Sequence, residues 1–232
     1  MLKRITLFFL LLALMTTGIS GAKTKKDSGS TTPFDLTLFL APPPAQDSDQ
    51  TKAELAEILR YQKNRTPQMI AAAQADAEET GFSFADVLGN EFTTTKCPLT
   101  AALLLKVHEA EGALTDPAKD YYHRPRPYLF DDRVEPCVKR SKSFSYPSGH
   151  ATGGTAMAVI LAHMVPEKKD ALLARGLSYS ENRIVGGAHY RSDIVAGQRA
   201  GVLLAAELLK QADFKKDYEK ARAELRGLLG LR

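Results

Sequence analysis

The chain of 232 residues carries 31 Lys and Arg against 27 Asp and Glu, a formal net charge of +4, with 44% hydrophobic residues, two cysteines and no tryptophan. So small a charge excess gives no electrostatic case for nucleic acid as a partner, and the length suits one large domain with a sizeable core. Beyond the first 22 residues no stretch is apolar enough over the roughly 20 residues needed to cross a bilayer.

Lys3 and Arg4, the apolar run from Ile5 to Met15 and the small residues Ser20-Gly21-Ala22 read as a secretory signal cleaved after Ala22. Its apolar run is too short to anchor the chain in a membrane. Cleavage removes the only charges in residues 1–22 and takes the net charge from +4 to +2. The expected address is the periplasm, with no membrane attachment after cleavage. Residues 23–45 read as a flexible or extended lead-in, rich in Lys, Ser, Thr and Gly before Pro42-Pro43-Pro44.

Residues 46–232 read as a single all-α domain. Leucine and isoleucine at helical spacing predict a helix over 51–64, and Thr66-Pro67 supplies a cap and a first-position proline for the next, which runs toward Gly81. A short helix over 84–88 and a strong apolar one over 99–112 follow. Asp116-Pro117 either caps a further helix or kinks a longer one. That segment carries Lys119 and should end by Pro125 and Pro127, leaving Arg126 just outside. Further helices are predicted over 148–164, 167–185, 190–210 and 214–229, with Gly186-Gly187 breaking the chain between two of them. No alternating strand pattern is present, so the expected architecture is a helical bundle with its site at helix ends.

Three stretches carry chemistry. Lys119, Arg126 and Arg183 offer an ammonium and two planar guanidinium forks, the groups that neutralise a phosphoryl group without a metal. Ser148-Gly149-His150 opens an apolar helix, where unpaired N–H groups and the helix dipole favour an anion; Gly149 permits close approach and Ser148 adds a hydroxyl donor. His189 and Asp193, four apart, would share a helix face, with the carboxylate orienting a ring whose other nitrogen attacks phosphorus. His150 has no comparable carboxylate nearby in sequence and reads as the general acid.

The run Lys119, Arg126-Pro127, Pro147-Ser148-Gly149-His150, Arg183, His189 and Asp193 resembles the signature of the phosphatidic acid phosphatase type 2 superfamily. The likeness is greatest to the secreted bacterial class A non-specific acid phosphatases, through Tyr121-Tyr122-His123-Arg124, Ser145-Tyr146, Ala41-Pro42-Pro43-Pro44 and Ala221-Arg222-Ala223-Glu224. The resemblance implies phosphate binding by Lys119, Arg126, Ser148, Gly149 and Arg183. It makes His189 the nucleophile, Asp193 its partner and His150 the acid. The chain departs from the family pattern at Asn182, where Ser is usual, at Phe144, where Gly is usual, and at Ala151, where Thr is usual.

The reading is a secreted acid phosphatase acting on small phosphomonoesters of broad range through a phosphohistidine, with neither cofactor nor metal. The oligomeric state stays open, a homo-oligomer included. Three alternatives share the motifs: a vanadate-dependent haloperoxidase, a phosphatase of lipid or prenyl pyrophosphates, and a phosphate binder without turnover. Cys97 and Cys137 are expected to pair in an oxidising compartment, two unpaired thiols being the alternative. His108, His123 and His163 are given no function, and the charges of Lys215-Lys216 and the tail read as a solvated face.

Overall fold

The computed structural model describes residues 34–231. The expected signal over 1–22 and the lead-in up to residue 33 lie outside the described residues. From Phe34 the chain passes through a 3₁₀ turn at Leu36–Leu38, and Leu36 and Leu40 are buried in the main core.

The helices are α1 (Asp49–Asn64), α2 (Pro67–Ala75), α3 (Ala85–Leu88), α4 (Pro98–Tyr122), α5 (Pro127–Phe130), α6 (Gly149–Met164), α7 (Lys169–Val185), α8 (Arg191–Leu208) and α9 (Ala212–Leu228); no strand occurs among the described residues. Their starts follow local capping chemistry. Ser48 Oγ accepts the Thr51 N–H at 3.2 Å, and Thr66 Oγ1 accepts that of Met69 at 3.3 Å ahead of Pro67. Pro117 lies inside one continuous α4 rather than between two helices. Apolar residues on both sides of it, Leu114 and Ala118, are buried in the main core, and such packing holds a helix together where local propensity is poor.

α6 is the central element. Ile160, Leu161 and Met164 are fully buried in the main core, each contributing about 1.5–3 kcal/mol of apolar burial. Gly197 and Gly201 of α8 let its backbone lie directly on α6: a Cβ at either would come within 2.5 Å of a carbonyl oxygen, of Ser148 and Thr152 respectively. This approach places the first turns of α6 and α8 side by side, and the Ser148 N–H donates to the Asp193 carbonyl at 3.1 Å. Gly187, at φ +71, turns the chain sharply between α7 and α8.

Two expectations are corrected. Cys97 and Cys137 are free thiols. Cys97 is buried in the main core just before α4, whereas Cys137 packs in a separate cluster with Val138, Val185 and Ala188 and reaches the Val185 carbonyl at 3.8 Å. The tail is also more than a solvated face. Glu224 of α9 accepts the N–H groups of Leu99 and Thr100 at 3.0 and 2.8 Å, capping α4, where Cys97 provides no side-chain cap.

Candidate active site

α4, the cap of α5, the start of α6 and the end of α7 meet the loop 139–143 around a cleft of about 700 Å³. Lys119 enters from the last turn of α4, Arg126 from the cap of α5, Gly149 and His150 from the first turn of α6, and Arg183 from the last turn of α7; all five line the cleft. Ser148 caps α6, its Oγ accepting the Ala151 N–H at 3.3 Å and keeping its own proton to donate. His189 precedes α8 and Asp193 occupies its first turn, both with no exposed surface. Every residue singled out for phosphate chemistry is thus gathered in one place.

The cations are unusual in their burial. Lys119, Arg126 and Arg183 are 6, 5 and 3% exposed. Arg126 donates to the Ser143 carbonyl at 3.0 Å, to Ser143 Oγ at 3.0 Å and to the Ala188 carbonyl at 3.2 Å. Among the described residues Arg183 reaches only the Ala73 carbonyl, at 3.5 Å, and its buried Nε has no partner. Neither guanidinium pairs with a carboxylate among the described residues, and burial pulls both below the usual arginine range. Buried charge and an unmet donor are costly unless an anion completes them. Lys119 Nζ donates to Thr115 Oγ1 at 2.9 Å, and that hydroxyl donates to Glu111 Oε1 at 2.7 Å. A Cβ on Gly149 would sit 2.5 Å from Glu111 Oε1 and 3.1 Å from Lys119 Nζ, so a side chain there would displace both groups.

The His189 ring has a defined tautomer. Arg126 Nη1 lies 2.8 Å from Nε2, and since a guanidinium can only donate, Nε2 is the acceptor and the proton sits on Nδ1. Nδ1 is 3.3 Å from Asp193 Oδ2. Burial and then the charges of Arg126 and Arg183 hold the ring well below the usual imidazole range, so it is neutral. The pair does not share a helix face as the spacing suggested. Asp193 Oδ2 accepts the Tyr190 N–H at 2.9 Å, a helix-cap geometry that brings His189 back over the first turn.

Sequence reasoning missed the groups that hold these residues. Arg124, 4% exposed, donates to Asp193 Oδ1 at 2.6 Å, to Glu54 Oε2 at 3.1 Å and to Ser192 Oγ at 2.7 Å, and its guanidinium lies 4.0 Å over the Tyr190 ring. Ser145 Oγ donates to Asp193 Oδ2 at 2.6 Å. Burial nevertheless pushes the Asp193 carboxyl up to about 6, with Arg124 and Ser145 opposing. His150 also has a carboxylate after all: Glu79 Oε1 lies 2.8 Å from its Nδ1. Arg124 could have been suspected from its place two residues before Arg126; Glu54 and Glu79 carried no local signal.

None of the three departures has a side-chain hydrogen bond to Lys119, Arg126 or Arg183 among the described residues. Asn182 donates to Asp76 Oδ2 at 2.7 Å, Phe144 meets the His123 ring edge-on at 4.6 Å, and Ala151 is fully buried in the cluster holding Tyr190 and Ile194.

An all-helical fold that gathers buried, unpaired guanidinium groups around a carboxylate-backed neutral histidine defines a phosphate-handling protein. Comparison with known proteins names the family. The PAP2 superfamily matches residues 97–217. An acid phosphatase of Zymomonas mobilis subsp. mobilis is 32% identical over 226 residues, 91% of this chain and 84% of its own. A non-specific acid phosphatase of Providencia stuartii is 33% identical over 202 residues, 82 and 81% of the two chains. A lipid A 1-phosphatase of Rhizobium johnstonii matches a shorter stretch, 33% identical over 94 residues, 39% of this chain and 38% of its own. The chain belongs to the PAP2 superfamily, and it is a phosphatase.

Proposed function

We propose that this protein is a secreted acid phosphatase of broad specificity that hydrolyses phosphomonoesters through a phosphohistidine at His189, without a metal. The observation that carries the reading is the His189 ring: neutral, its Nδ1 proton directed to Asp193 and its Nε2 lone pair turned toward Arg126 at the cleft. Export is supported by the leader pattern over residues 1–22. The acid phosphatases similar over most of the chain favour ester hydrolysis over halide oxidation or binding without turnover.

In this mechanism the phosphoryl group takes the place of the lone-pair contact between Arg126 and Nε2, and Arg126, Arg183, Lys119 and the first N–H groups of α6 bind its oxygens. Nε2 attacks phosphorus, the P–N bond forms, and the P–O bond to the leaving group breaks with its electron pair moving to that oxygen. His150 gives the oxygen a proton. Water then attacks phosphorus and yields a proton to His150, and the P–N bond breaks with its pair returning to Nε2. Asp193 stabilises the positive charge that the ring carries between the two steps. The rate profile is bell-shaped, because His150 must hold a proton while His189 is free of one.

Purified protein should hydrolyse p-nitrophenyl phosphate undiminished in the presence of a chelator, and His189→Ala should reduce the rate to background. Enzyme quenched with alkali during turnover should carry a base-stable phosphoryl group that acid releases. Loss of activity on chelation, or full activity in His189→Ala, would overturn the mechanism.

A further inference from the structure

The His150 ring is held at both nitrogens by one turn. Nδ1 lies 2.8 Å from Glu79 Oε1, and Nε2 lies 3.2 Å from the Ala77 carbonyl. Both partners are acceptors, so the ring that satisfies both carries a proton on each nitrogen, the imidazolium form. Glu79 reaches this position in a left-handed backbone conformation, φ 48 and ψ 32, which costs a non-glycine residue about 1–2 kcal/mol.

The turn is braced from α7, the helix that carries Arg183. Asp76, 1% exposed, accepts Arg175 Nη1 at 3.0 Å and Asn182 Nδ2 at 2.7 Å, and Arg175 also donates to the Ser83 carbonyl at 3.1 Å. The strained residue is therefore held where its carboxylate meets His150, the pattern expected where strain serves a site.

We infer that Glu79 is a positioning residue of the reaction: its carboxylate anchors Nδ1 of His150 and keeps the ring in the protonated form that donates from Nε2. The inference rests on His150 as the general acid of the proposed mechanism. The Ala77 carbonyl holds the Nε2 proton until the ester oxygen replaces it. As the P–O bond breaks, the Nε2–H bond breaks and an O–H bond forms on the leaving group. The neutral ring keeps its Nδ1 proton on Glu79 and recovers the other from the attacking water.

Several charges bear on this ring. Glu79 comes from the turn, His108, Glu111 and Lys119 from α4, Arg126 from α5, Tyr179 and Arg183 from α7, and His189 from the segment before α8. Burial draws His150 below the usual imidazole range; the Glu79 hydrogen bond and charge oppose that, while Arg183 adds to it. Removing the carboxylate therefore lowers the ring further. The acid form is then lost at a lower pH.

The test compares kcat/KM, which reports the steps through phosphoryl transfer, for p-nitrophenyl phosphate and for glycerol phosphate across pH in Glu79→Gln, Glu79→Asn and His150→Ala. General acid catalysis contributes about 10²–10⁴-fold where the leaving group needs a proton and little where it does not. Each Glu79 variant should lose roughly 100-fold on glycerol phosphate but less than about fivefold on p-nitrophenyl phosphate. The alkaline limb should move to lower pH, and inhibition by inorganic phosphate should stay unchanged. Asparagine tolerates the left-handed conformation, so Glu79→Asn should keep or raise the melting temperature; full activity in this variant would reduce Glu79 to a structural residue and overturn the inference. Equal losses on both substrates, or an unmoved alkaline limb, would also overturn it. If His150→Ala shows the leaving-group dependence and the Glu79 variants do not, the inference alone fails; if His150→Ala lacks it too, the assignment of His150 fails and takes the inference with it.

Discussion

Arg124→Met tests what holds the Asp193 carboxylate. The substitution keeps the apolar stem and removes a guanidinium bonded to Asp193 at 2.6 Å, Ser192 at 2.7 Å and Glu54 at 3.1 Å. Asp193 and Glu54 are 0 and 6% exposed, so two buried carboxylates lose their cation. Breaking a buried pair in this way costs about 3–5 kcal/mol, a large part of the 5–15 kcal/mol that holds a domain together. The loss depends on pH in a definite direction. Burial already raises Asp193 to about 6 while Arg124 lowers it. Without Arg124 the folded carboxyl rises further above its unfolded value, so the folded state keeps a proton that the unfolded chain has released, and stability falls as pH rises through that window. Urea unfolding followed by circular dichroism should show the full loss near pH 7 and a loss smaller by about 1 kcal/mol or more near pH 5. A loss below about 1 kcal/mol at pH 7, or one that does not change with pH, would refute the view that Arg124 balances a buried Asp193 charge.

Gly149→Ala places a methyl group 2.5 Å from Glu111 Oε1 and 3.1 Å from Lys119 Nζ. Overpacking of this kind costs about 1–3 kcal/mol, and phosphate affinity measured by competitive inhibition should fall at least tenfold, with partial recovery when Glu111→Ala makes room. For the cysteines, a reductant should leave the melting temperature unchanged, and a thiol reagent should label partly exposed Cys137 in the native protein while sparing buried Cys97 until unfolding. A melting temperature that falls on reduction would show a disulfide after all.

Much of the site was legible because its chemistry is written in short segments. Ser148 caps α6 through Ala151, three residues on, and Gly187 turns the chain so that the Arg183 charge bears on His189; both depend on neighbours in sequence. The helices followed for the same reason, since caps, prolines and apolar spacing act within a few residues. Pro117 was ambiguous because packing on both sides, not its own preference, decides whether a helix continues through it.

What stayed hidden came from contacts between distant segments. Arg124 joins Glu54 to Asp193 across 70 and 69 positions, and Glu79 meets His150 from a turn that the local pattern read as the end of a helix. Glu224 caps α4 from 124 positions away, and the cysteines lie in different clusters although an oxidising compartment would allow their pairing. The sequence alone determined most of the helices, the family signature and the residue types gathered at the cleft, because each rests on local spacing and residue type. Tertiary structure decided which carboxylate attends each histidine, which arginine balances Asp193 and which charges stay unpaired, because burial and distance in space set the cost of a charge.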